Sequence, residues 1–234
     1  GLAALSVTLM LALSACGGGA QAAGESSESA TNAPAATASA SASAASTPTT
    51  AKDSASATVA ANPKGSEVIE IRADDDTNAD AAIAKQAAIN AAKRVALNDM
   101  RMFNAWLHGD FEHTSDEELL KFVDPGTLGQ VKETIQSSRD DIKRNGGVFT
   151  GDVTIRNVEV YDILTYDYPD GTSYPYSYLK VTYCEDWTQV HIPNGERAVT
   201  GPDSTATVEV VVKRLQDGRY VYAGARELNT GCAS

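Results

Sequence analysis

Apolar and polar residues change rhythm several times along this chain. From 2 to 13 they are almost all Leu, Ala, Val and Met, a run about as long as the core of an export signal and shorter than the ~20 residues a membrane span needs. From 17 to 65 large apolar side chains all but vanish: Val59 is the only aliphatic one among 49 residues, of which 40 are Ala, Ser, Thr, Gly or Pro. Such a stretch cannot bury a core. Its Ser, Thr and Pro oppose the helix that Ala alone favours, which predicts a disordered tether with a reach of about 40 Å.

Further along, Ile89, Ala92, Ala96, Met100, Phe103 and Leu107 recur every three or four residues. This predicts an amphipathic helix over 83–108, about 40 Å long. Val95, Met102 and Trp106 widen its stripe, as expected for a helix held by a curved sheet. Before it, 66–72 reads as a short strand and Asp74, Asp75 and Asp76 as carboxylates at the helix start. Ser115-Asp116-Glu117-Glu118 matches a capping box and opens a short helix through Phe122. Asp124-Pro125-Gly126 turns the chain, and Thr127 caps a third helix that runs to about Arg144 and ends at Asn145-Gly146-Gly147.

The period then becomes two. Val153, Ile155, Val158 and Val160 mark a strand with an irregularity near Asn157, and 178–190, 205–215 and 219–226 mark three more, the last two around an Asp217-Gly218 hairpin turn. Three helices followed by an antiparallel meander predict an α+β fold. All 15 aromatic residues lie between Phe103 and Tyr222, which places one folded domain at 66–234 behind a tether at 17–65.

Leu13-Ser14-Ala15-Cys16 closes the first apolar run and resembles the lipobox at which bacterial lipoprotein signal peptides are lipidated and cut. The resemblance implies that 1–16 is a signal peptide and that Cys16 becomes the lipid-bearing mature N-terminus. The protein would then be moored to the outer face of the cytoplasmic membrane, with an envelope protein or glycan as partner. No initiator Met or basic segment precedes Leu2, so the natural chain is expected to begin earlier. Several acyl chains on one cysteine make a stable anchor.

The element order resembles the NTF2-like (cystatin-like superfamily) fold, in which a bent sheet wraps a long N-terminal helix, with two shorter helices, to form a cone with a pocket. A narrower resemblance lies in Val181-Thr182-Tyr183-Cys184-Glu185-Asp186-Trp187-Thr188 and Gly231-Cys232. Exported and lipid-anchored actinobacterial proteins similarly carry Cys-x-Asp-x-Ser/Thr on a strand, then a Gly-containing turn, two closing strands and a final Cys.

With Cys16 lipidated, Cys184 and Cys232 are the remaining thiols, and in an oxidising compartment they are expected to pair. The net charge of −12 argues against nucleic acid and against an anionic membrane surface as partner. The three histidines lack the His-Glu-x-x-His spacing, and Asp74 to Asp76 lack the alternation of a calcium loop, so no metal site is expected. Phosphate-binding Gly loops, dinucleotide fingerprints and nucleophile elbows are absent too, so no cofactor is expected.

Two surfaces remain. Tyr166, Tyr168, Tyr174 and Tyr176 flank Pro169-Asp170-Gly171, a turn tip outside the regular alternation, and suggest a binding surface for a sugar or a protein. The NTF2-like resemblance also implies a cone pocket of the ketosteroid isomerase or SnoaL-like type, an isomerase or lyase site for which Asp99, Tyr161, Tyr183 and Asp186 are the candidate lining residues. The expectation ranked first is a non-enzymatic envelope binding or scaffold domain. A bare spacer with no ligand is the third reading.

Overall fold

The structure, a computed structural model, describes residues 65–232. Cys16, the apolar run before it and the tether as far as Lys64 lie outside the described residues. The elements are β1 (Ile71–Arg72), α1 (Ala81–Leu107), α2 (Asp116–Leu119), α3 (Leu128–Arg144), β2 (Thr154–Asp167), β3 (Ser173–Asp186), β4 (Thr205–Arg214) and β5 (Arg219–Thr230). This is an α+β arrangement. One antiparallel sheet in the order β1-β5-β4-β3-β2 curls into a half-barrel.

α1 packs against β3, β2 and β5 on the inner face of that sheet. Its contact stripe is mostly small, with Ala88, Ala91, Ala92, Val95 and Ala96 fully enclosed. Small side chains let the helix axis come close to the strands, where Leu179, Val181, Val210 and Val212 complete the core. Packing of this density gains dispersion contacts as well as removing apolar area from water.

The hairpins follow their turn residues. Asn157 adopts φ 56° where the β2–β3 register slips between Arg156 and Glu159, a bulge at the irregularity that the alternation predicts. Asp217-Gly218 closes β4 onto β5, with Gly218 at φ 88°. Ser115 caps α2: its hydroxyl accepts from the Glu118 amide and donates to the Glu118 carboxylate.

Three local expectations are corrected. Helix α1 is capped by Asp80, which accepts from the Ala82 and Ile83 amides, and not by the acidic triplet. Asp76 turns inward instead to Arg214 and Tyr220, because a carboxylate gains more from a guanidinium than from the partial charge of a helix end. Thr127 stands at the N-cap of α3 but makes no side-chain cap bond. β3 runs from Ser173 to Asp186 rather than from 178 to 190, since Asp186 ends it in a side-chain-capped turn with Thr188. Among the described residues no helix is long and apolar enough to cross a membrane.

Candidate functional site

Alternation along β3 turns Leu179, Val181 and Tyr183 to the inner face, and the next residue of that parity is Glu185. Pairing of Leu179 with Val212, Val181 with Val210 and Tyr183 with Val208 lays β4 valines beside them. Val212 pairs in turn with Tyr222 of β5. Facing this surface from α1 is Asp99. It lies three and four residues after Ala96 and Val95, and three and four before Met102 and Phe103, within the stripe turned to the sheet.

The result is an acid and phenol cluster of Asp99, Tyr183, Glu185 and Tyr222. Asp99 keeps part of its surface accessible, yet burial by the surrounding protein, aided by the Glu185 charge, pushes its carboxyl up to about 7. Burial likewise pushes Glu185 up to about 7, with Glu227 adding to the shift and the Trp187 indole opposing it. That indole donates to Glu185 Oε1 at 2.8 Å and meets the Phe103 ring edge-on at 5.6 Å. Burial, then the neighbouring carboxylates, raise the Tyr183 and Tyr222 phenols well above their ordinary range. Near neutral pH both carboxylates can therefore hold or release a proton while both phenols stay neutral.

Of the four residues expected to line a pocket, Asp99 and Tyr183 are brought together and the other two are not. Tyr161, 53 % exposed, donates instead to Glu209 on the opposite face of the sheet, where Arg226 also binds that carboxylate at 2.7 Å. Asp186 accepts from the Thr188 amide and hydroxyl, bonds that hold its carboxyl below its ordinary range, with a smaller contribution from Arg156. Glu185 and Tyr222 are the members that sequence reasoning missed. For Glu185 the signal was present, in the parity it shares with Tyr183.

The Cys184–Cys232 disulfide forms, with Cα atoms 5.5 Å apart. It fastens the C-terminal tail beside the start of β4, where the Gly231 amide donates to the Thr205 carbonyl at 2.7 Å. The Cys-x-Asp-x-Thr pattern thus divides its work: Cys184 crosslinks, Asp186 caps the turn, and the intervening Glu185 faces the helix.

The tyrosine hairpin is a packed cluster. Tyr168 is only 8 % exposed, and its hydroxyl donates to the Arg214 carbonyl. Its ring meets Tyr166 and Tyr174 edge-on at 5.1 and 5.8 Å. Lys213 covers the Tyr166 ring at 4.3 Å and Arg214 the Tyr174 ring at 4.2 Å. Tyr176, at φ 56°, packs against the core. Sequence reasoning treated these four rings as one surface, and the structure gives each of them an intramolecular contact.

Two open grooves flank these features. One of about 370 Å³ lies between α1 and the start of β2 and includes Leu97, Met100, Asn104, His108 and Asp152. The other, about 510 Å³, runs beside Tyr168, Lys213, Gln216 and Asp217. Neither includes Asp99 or Glu185. Among the described residues no group of three or more His, Cys, Asp or Glu is placed to hold a metal ion. No protein-family model matches the chain, and no curated protein matches it.

Proposed function

We propose that this protein is a lipid-anchored, extracytoplasmic domain of the NTF2-like cone type that binds a small ligand on its inner face, at Asp99, Tyr183, Glu185 and Tyr222. The observation that carries the reading is Asp99, a carboxylate set in the sheet-facing stripe of α1 with no hydrogen bond or ion pair among the described residues. A stripe selected for stability alone would carry an apolar side chain there, because burying a carboxyl without a partner is costly. Residues kept against stability are characteristic of sites. Replacing Asp99 by Leu tests this directly. The variant is expected to unfold at a higher denaturant concentration than the native chain, and a lower midpoint would mark Asp99 as structural and remove the reading.

The anchor rests on Leu13-Ser14-Ala15-Cys16. Metabolic labelling with a fatty-acid analogue is expected to mark the native chain and not Cys16→Ala, and an unlabelled native chain would refute the anchor without touching the site.

A second reading, proton transfer of the ketosteroid isomerase or SnoaL-like kind, is favoured by the two carboxyls poised at about 7 beside two phenols, since a general base works best near the ambient pH. Deuterium exchange at the α-carbon of a simple ketone, abolished by Asp99→Asn, would support it. Exchange no faster than in buffer would dismiss it.

A further inference from the structure

We propose that the ligand of the inner face is a small organic cation, an amine or a quaternary ammonium, received by the carboxylates of Asp99 and Glu185 and the rings around them. This inference rests on the ligand-binding reading and names the chemistry of its ligand.

The fold pairs its other inward acids with arginine. The buried carboxylates among the described residues, Asp76, Asp141 and Glu209, each have an arginine: Asp76 has Arg214, Asp141 has Arg144 and Glu209 has Arg226. Asp99 and Glu185 are also drawn into the protein, and they have no Lys, Arg or His partner within ion-pair distance among the described residues. The Glu185 charge acts on Asp99 instead, and the Glu227 charge acts on Glu185. A site that gathers like charges without a counter-ion of its own is complementary to a cation brought from outside.

Tyr183 is 3 % exposed, and its hydroxyl makes no hydrogen bond among the described residues. Buried hydroxyls ordinarily have a partner. Tyr183 projects from the same face of β3 as Glu185, and the charges of Asp99 and Glu185 act on its phenol, so its free hydrogen-bonding capacity lies on the face that carries both carboxylates. Full enclosure is not the reason it lacks a partner: among the described residues the one sealed and unpaired side-chain polar atom is Trp106 Nε1.

The lining is aromatic. Phe103 and Trp187 meet edge-on at 5.6 Å, both partly accessible, and Tyr222 is partly accessible as well. Aromatic faces beside carboxylates attract a desolvated ammonium through the ring quadrupole as well as through charge. A metal ion would need several hard ligands converging on one point, and no such group is present among the described residues.

The experiment titrates the purified full chain with tetramethylammonium chloride and follows the indole N–H resonances of Trp106 and Trp187, assigned with Trp187→Phe. Sodium chloride at equal ionic strength and tert-butanol, a neutral molecule of similar shape, serve as controls. Tetramethylammonium is expected to shift the Trp187 signal saturably and the controls are not. Asp99→Asn, with Glu185→Gln as a second variant should the first fold poorly, is expected to weaken the response about tenfold or more. Affinity should rise from about pH 6 to about pH 8 as Asp99 and Glu185 ionise beside neutral Tyr183 and Tyr222, with Glu227 next to Glu185.

An equal response to tert-butanol would overturn the cation and leave the ligand-binding reading standing. A response unchanged in both variants would overturn the cation at this site, and so would no response to tetramethylammonium. A destabilised Asp99→Leu would instead remove the ligand-binding reading itself.

Discussion

Asp76 and Arg214, 138 positions apart, meet inside the domain with each side chain only 7 % exposed. The Tyr220 hydroxyl donates to the same carboxylate at 3.1 Å. Arg214 also lies over the Tyr174 ring, and its backbone carbonyl receives the Tyr168 hydroxyl. One guanidinium-bearing residue thereby ties the segment before α1, the end of β4 and the tyrosine hairpin together.

Breaking this pair from one side strands the other charge. Asp76→Ala is expected to cost about 3–5 kcal/mol, read from urea unfolding. The double variant Asp76→Ala, Arg214→Met should cost less than the single one, because no uncompensated charge is left. Equal losses would mean that the pair's geometry, and not charge compensation, supports the fold.

The inner acids give stability a particular pH dependence. A carboxyl that titrates at about 7 in the folded chain and near its ordinary ~3.9 when unfolded keeps its proton in the folded state alone between those values. The contribution is present below about pH 4 and lost as pH rises towards 7, at no more than about 1.4 kcal/mol per pH unit for each group. Asp99→Asn cannot ionise, so its stability should match the native chain's below about pH 4 and exceed it increasingly as pH rises to 7. Parallel curves of melting temperature against pH would refute this.

Reduction should loosen the C-terminal tail. The Cys184–Cys232 bridge closes 48 residues, for which loop entropy predicts about 4 kcal/mol. Cys232→Ser is expected to lower the unfolding midpoint accordingly under oxidising conditions and to leave no further effect of reductant. A persisting effect of reductant in that variant would point to a thiol other than this pair.

The tyrosine hairpin should respond as a packed unit. Tyr168→Ser, which empties a buried ring site and removes a hydroxyl bonded to the Arg214 carbonyl, is expected to cost about 3 kcal/mol. Tyr166→Ser, at a partly exposed ring, should cost clearly less. Equal small effects would show that the hairpin contributes little to stability and return it to the role of an open surface.

Much of the fold was legible because it is local. The Ser115 capping box, the bulge at Asn157 and the turn at Asp217-Gly218 depend on residues within a few positions of one another, and the structure contains each of them. Asp99 was named, but its place was obscured: a stripe traced through apolar residues alone passes over a carboxylate, although position 99 satisfies the same spacing from Val95 and Ala96 to Phe103. The acidic triplet misled for the opposite reason. Charge at a helix start is a common local arrangement, and the attraction of Asp76 to Arg214 acts between elements far apart in the chain.

By itself, then, the sequence determined the order and type of the elements and the two cysteines that pair, because each follows from short-range spacing or from the small number of candidates. Only the tertiary structure decided which acids have an arginine and which do not. That depends on how a half-barrel curls around one helix: the curl brings Asp99 opposite Glu185 and carries Tyr161 and Glu209 to the other face, and no periodicity within a single element encodes which of its neighbours it will meet.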